Sequence, residues 1–139
     1  MTRIVLDSNV LVSGMINAYG APGRIIDLIR EGLVEVVLDD RILAEYAEVL
    51  NRPKFNACFH LSDVRDSLAF LDHNSHYVVS TKHVVDIPDM DDAPFLEVAL
   101  TAAVPLVTGN ALHFPAHYRS QTSIHTPAKF ISLYSKNPE

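Results

Sequence analysis

An α/β fold, a three-layer sandwich with a short, mostly parallel central sheet and helices on both faces, is predicted by three features of these 139 residues. Short apolar runs alternate with longer stretches whose apolar residues recur at helical spacing, the order expected of βαβ units. The first run, Ile4-Val5-Leu6, is unbroken by polar side chains, as a strand covered on both faces reads. Polar residues close two of the runs at their carboxyl ends, Asp7 after the first and Thr108-Gly109-Asn110 after a later one, where open parallel sheets bind ligands. No repeat, low-complexity tract or linker is visible, and residues 1–139 are expected to form one domain long enough to bury its own core.

Each element follows from its own residues. Val10, Leu11, Val12 and Ile16 predict a short helix closing between Gly14 and Asn17. Tyr19-Gly20-Ala21-Pro22-Gly23 reads as a loop, and Pro22 opens a helix that carries Ile25, Ile26, Leu28 and Ile29 inward as far as Gly32. Val34-Glu35-Val36-Val37-Leu38 is the second strand. Asp39 or Asp40 caps the next helix, whose stripe is Ile42, Leu43, Tyr46, Val49 and Leu50. On that helical wheel Glu48 falls opposite the stripe, whereas Glu45 falls on its border and can lean into a cleft. Asn51-Arg52-Pro53-Lys54 ends the helix, since proline cannot continue it. Leu61-Ser62 starts a helix that buries Val64, Leu68 and Leu71 and stops between Asp72 and Ser75. One of Tyr77-Val78-Val79-Ser80 and Val84-Val85-Asp86 is expected in the sheet. Val104-Pro105-Leu106-Val107 is the fourth strand and Ser123-Ile124-His125 a short last one. Thr126 then caps a terminal helix with Pro127 in its first turn and Phe130, Ile131 and Leu133 packing.

Composition narrows the setting. A single cysteine, Cys58, excludes an internal disulfide and points to a reducing compartment; it reads as a small buried or half-buried apolar residue. The N-terminus meets Asp7 too soon to serve as the apolar part of a signal peptide, and no later run approaches membrane-spanning length, so a soluble, cytoplasmic protein is expected. A formal charge of -6 argues against broad, nonspecific wrapping of nucleic acid. It leaves room for a nuclease, because an acidic site neutralised by metal ions can hold phosphates.

The chemistry concentrates in Asp89-Met90-Asp91-Asp92, three carboxylates in four positions, placed before a helix whose stripe reads Phe95, Leu96, Ala99, Leu100 and Ala103. Glu97 adds a fourth acid. One aspartate at the helix start would cap it, a gain of about 0.5–2 kcal/mol. The surplus repels itself unless a cation or protons intervene. Asp7 and Asn110 close strands at the edge where Asp89 and Asp92 enter a helix, and Glu45 follows the second strand. Such a set of oxygen donors suits Mg²⁺ or Mn²⁺, and phosphodiester cleavage is the reaction for which it makes most sense, since a metal lowers the pKa of the attacking water. Asp7 and Asp92 are chosen as direct ligands, Glu45 as the residue that completes the site or orients the water, and Asp89 and Asn110 as further ligands or outer supports.

These residues also carry a resemblance. Val5-Leu6-Asp7-Ser8-Asn9-Val10-Leu11-Val12-Ser13, Ile42-Leu43-Ala44-Glu45-Tyr46 with Glu48-Val49-Leu50-Asn51-Arg52-Pro53-Lys54-Phe55, residues 89–99 and Val107-Thr108-Gly109-Asn110 resemble the successive motifs of PIN domains. The nearest likeness is to the VapC-like toxin branch of toxin–antitoxin pairs, down to Thr126-Pro127-Ala128-Lys129-Phe130 at the start of the final helix. The resemblance implies a metal-dependent ribonuclease acting on RNA, commonly a homodimer, inhibited by a small antitoxin partner. It carries the family's first acid onto Asp7, its helix glutamate onto Glu45 and its central aspartate onto Asp92, with Asp89 the acid that often precedes it. Ser8 and Asn9 match polar positions that hold the first aspartate, and Thr108 belongs to the same supporting set. The departure is Asn110, where many members have aspartate; an amide oxygen can still coordinate but brings no charge.

Other features are discounted. His73 and His76, and His113 and His117, lack the cysteines or the His-Glu-x-x-His pattern of a zinc site, although His113-Phe114 is placed to border the cleft. Arg24, Arg52 and Lys54 stand near helix ends where they could meet RNA phosphates, but read first as solvated surface; Tyr46 and Phe95 read as core. The competing function is a PIN-fold module that binds RNA or an antitoxin without turnover because of Asn110. A phosphoacceptor receiver domain would need paired acids after the first strand and a late lysine, and Asp7-Ser8-Asn9 and Asn110 supply neither.

Overall fold

A computed structural model describes residues 1–137. Its sheet is wholly parallel, with strand order β3-β2-β1-β4-β5: β1 Thr2–Leu6, β2 Val34–Leu38, β3 His76–Tyr77, β4 Leu106–Val107 and β5 Ile124–His125. The helices are α1 Ser8–Ile16, α2 Ala21–Arg30, α3 Asp40–Leu50, α4 Leu61–Asn74, α5 Ala93–Ala102, α6 Ala116–Arg119 and α7 Pro127–Lys136.

The unbroken apolar runs lie where a sheet covered on both faces needs them. Ile4, Val5, Leu6, Val37, Leu38, Leu106 and Val107 are essentially inaccessible, each such side chain contributing about 1.5–3 kcal/mol through burial. β1 sits at the centre, paired with β2 on one side and β4 on the other, so Asp7 emerges in the middle of the carboxyl rim. α1 and α2 pack corner to corner because two glycines permit it: a Cβ on Gly23 would stand 2.4 Å from the Ala18 carbonyl oxygen, and one on Gly14 2.5 Å from Ile26.

Helix starts follow the capping residues. The Asp39 side chain accepts from the Ile42 N–H at 3.1 Å, and Thr126 from the Lys129 N–H at 3.2 Å. No helix among the described residues is long and apolar enough to cross a membrane.

As expected, one of the two strand-like stretches joins the sheet, the first, through His76–Tyr77; Val84-Val85-Asp86 runs as irregular backbone, its Val84 N–H taken by a side chain. Two expectations are corrected. Ala103 is not part of the α5 stripe but its exposed C-cap, in the left-handed conformation at φ 56. Cys58 is exposed, because the turn after Pro53–Phe55 leaves it outside the packed layers.

Candidate active site

The site is built from the ends of two strands, the starts of two helices and the middle of a third. Asp7 ends β1 and occupies the N-cap of α1. Its N–H donates to the Val107 carbonyl at 3.0 Å, which ties it to the neighbouring strand. Its carboxylate is nearly buried and accepts from Thr108 Oγ1 at 2.7 Å; Thr108 in turn accepts from the Asn110 N–H at 3.2 Å. Burial pushes the Asp7 pKa up, opposed by the Thr108 hydrogen bond and by the backbone N–H groups of Ser8 and Asn9, with Asp89 adding repulsion.

Asp89, Asp91 and Asp92 arrive on a single 3-10 turn, Met90–Asp92, that runs straight into α5. Asp89 caps this turn through the Asp91 N–H at 3.0 Å. Asp92 stands at the N-cap of α5 without a capping bond, leaving both carboxylate oxygens available. Its pKa is pushed up to about 6, first by burial and then by Asp7, Asp89, Asp91 and Glu45. Glu45, half-buried on α3, is raised by burial and by Glu48, Asp91 and Asp7, while Arg52 opposes this. Carboxylates 38 to 85 residues apart in sequence therefore repel one another across one rim.

The oxygen-rich donor set fits a hard divalent cation. Beside Asp7 in the chain, the Ser8 hydroxyl is buried with no hydrogen-bond partner, a polar atom left over next to the acidic rim. Among the described residues no three His, Cys, Asp or Glu groups stand in ligand geometry around one point; Mg²⁺ typically takes one or two protein carboxylates and completes its shell with water and phosphate. Ile87, Pro88, Asp89, Asp92, Asn110, His113 and Phe114 enclose a cavity of about 70 Å³ at the rim.

A family model described as "PIN domain" matches residues 3–112. The chain belongs to the PIN-domain family. It is also 29% identical over 145 aligned positions to the uncharacterized protein MJ1680 of Methanocaldococcus jannaschii, an alignment covering 96% of this chain and 92% of that protein. PIN domains are generally nucleases that use divalent metals, and membership supports a nuclease-type hydrolase.

Within this PIN domain the sequence-chosen residues divide. Asp7, Glu45, Asp89 and Asp92 share one electrostatic field, and Asn110 and His113 line the adjoining cavity. Ser8 and Asn9 follow Asp7 directly in the first turn of α1, where the Ser8 hydroxyl is buried. Glu97 leaves the cluster altogether: its oxygens take Arg41 Nη1 at 2.7 Å and the Val84 N–H at 2.9 Å. Arg52 is held by Glu48, closest at 2.9 Å, and Lys54 sits over the Phe55 ring at 5.1 Å. His117 pairs with Asp86 at 3.1 Å.

Asp91, one of the three crowded acids, adds to the repulsion at both Glu45 and Asp92. One contribution was not foreseen. Tyr46, read as core, also donates its hydroxyl to the Leu6 carbonyl, pinning α3 to β1 next to Asp7. A tyrosine within an otherwise aliphatic stripe is the signal that a buried hydroxyl needs a partner.

Proposed function

We propose that this protein is a metal-dependent endoribonuclease that hydrolyses RNA phosphodiester bonds, the toxin of a toxin–antitoxin pair, acting in the cytoplasm as a homodimer under control of a small antitoxin protein. In this reading residues 1–139 form one nuclease unit. The observation that carries the activity is the mutual repulsion of Asp7, Glu45, Asp89, Asp91 and Asp92 at one rim, which a divalent cation would relieve.

Asp7 and Asp92 would hold Mg²⁺ or Mn²⁺, with Asp89 and the Asn110 amide oxygen as further donors. When bound, such an ion polarises a phosphoryl oxygen and lowers the pKa of water. Thr108 fixes the Asp7 carboxylate by donating to Oδ2. Glu45, its pKa raised by burial and neighbouring acids, is suited to accept a proton from the attacking water. The cavity of about 70 Å³ lined by Pro88, His113 and Phe114 adjoins Asp89 and Asp92 and has room for a few waters of a hydrated cation.

The reading is tested with purified protein free of antitoxin, given a panel of RNAs with Mg²⁺ or Mn²⁺ and with chelator. Cleavage that requires the metal and falls at least a hundredfold in Asp7→Asn is expected. RNA binding without metal-dependent cutting would instead mean that Asn110, which brings no charge, leaves a binding module.

A further inference from the structure

Glu45, in the middle of α3, and Asp92, at the start of α5, reach the rim on different helices, so the gap between them depends on how α3 and the first turn of α5 are spaced. Packing contributes through the Tyr46 and Phe95 rings, whose centroids lie 6.2 Å apart. A polar tie lies beside them. Arg41, one helical turn before Glu45, donates from Nη1 to Glu97 Oε1 at 2.7 Å and from Nε to Asp39 Oδ2 at 2.9 Å. Glu97 is only 5% exposed and sits between the buried Leu96 and Val98 on α5. Its second oxygen takes the Val84 N–H at 2.9 Å. Val84 belongs to the irregular segment 78–88 that leads directly into Asp89, and that segment is further tied to α5 where the Thr81 N–H donates to Thr101 Oγ1 at 3.1 Å.

Only the Glu97 end of this pair is enclosed, the Arg41 side chain being 47% exposed, so the pair adds little stability of its own; what it does is give a buried carboxylate a fixed partner and so specify geometry. Here it joins the end of β2, α3, α5 and the segment before the acidic turn at a single carboxylate. We propose that Arg41 and Glu97 are positioning residues for the acidic rim: their pair sets the spacing of Glu45 from Asp92 and, through Val84, the approach of Asp89. The inference rests on the reading of that rim as a divalent-cation site, and neither residue touches ion or RNA.

The test compares Glu97→Gln, Arg41→Met, the double variant and Arg41→Lys with the unaltered protein. Mn²⁺ affinity is measured by calorimetry, kcat and KM on RNA, and folding by circular dichroism and Tm. Folded single variants should lose at least tenfold in Mn²⁺ affinity and in kcat, with KM for RNA changed less than twofold. The double variant should be no worse than the weaker single, and Arg41→Lys should recover part of the loss. Mn²⁺ affinity and kcat within twofold of the unaltered protein in folded Glu97→Gln, or single losses that multiply in the double, would overturn the proposal. Should Arg41→Met and Glu97→Gln fail to fold, Arg41→Lys decides: reduced Mn²⁺ affinity at unchanged Tm supports the proposal, and unreduced affinity overturns it. If the unaltered protein itself shows no Asp7-dependent Mn²⁺ binding, the cation-site reading falls and takes this inference with it; binding that is intact in every variant removes the inference alone.

Discussion

Asp92 concentrates the electrostatics of the rim in one group. Its pKa stands at about 6 against an ordinary 3.8, owing first to burial and then to four neighbouring acids. A raised carboxyl keeps its proton in the folded chain at pH values where the unfolded chain has released it. Stability contributed by this group is therefore present below about pH 4 and declines as pH rises towards 6, with slope set by the difference in bound protons. In chelator, thermal denaturation should show Asp92→Asn gaining Tm relative to the unaltered protein as pH rises across that interval. Parallel Tm profiles for the two proteins would show that neither burial nor the neighbouring acids raise Asp92. At this scale the sequence was informative about identity and silent about environment. Asp7, Glu45 and Asp92 stood out by position in their elements, whereas the partner of Glu97 lies 56 residues away and no local pattern announces it. The hint was an acid inside the apolar run from Phe95 to Leu100, which a buried helix tolerates only with a partner.

Among the elements, α5 shows how local rules meet a tertiary constraint. Its start follows the expected logic, with acids and Pro94 in the entry turn. Its end does not, because Ala103 adopts the left-handed conformation normally given to glycine, allowing the chain to reverse into β4. That conformation costs a non-glycine residue roughly 1–2 kcal/mol. Glycine there would remove the strain but restore roughly 0.4–1 kcal/mol of unfolded-chain entropy. The strain is the larger effect, so Ala103→Gly should raise stability by about 0.5–1 kcal/mol in denaturant unfolding, and a net loss would show that the left-handed turn is not strained. The helix stripe could be read from its period; its last residue could not, because Ala103 continues the apolar pattern while its backbone answers to the strand that follows. The stretch 78–88 stays out of the sheet for a related reason. β-branched residues there satisfy strand propensity, yet Glu97 and Thr101 take backbone N–H groups that a strand would give to its neighbour.

Across the whole molecule, topology rather than any single motif makes the site. β1 lies between β2 and β4, and acids at the end of β1, in the middle of α3 and at the entry to α5, spread over 85 positions, act on one another's titration. Alternation of strands and helices made the fold class legible, and the end of an unbroken apolar run made Asp7 legible as a rim residue. The all-parallel order, with both edges formed by two-residue strands, was not, because such short strands leave little pattern to read. The central claim is that these dispersed carboxylates act on one shared cation. Titration calorimetry with Mn²⁺ tests it most directly: the unaltered protein should bind the ion and release protons near pH 6, and Asp7→Asn and Asp92→Asn should each abolish that binding while remaining folded. Equal Mn²⁺ affinity in all three proteins would contradict it.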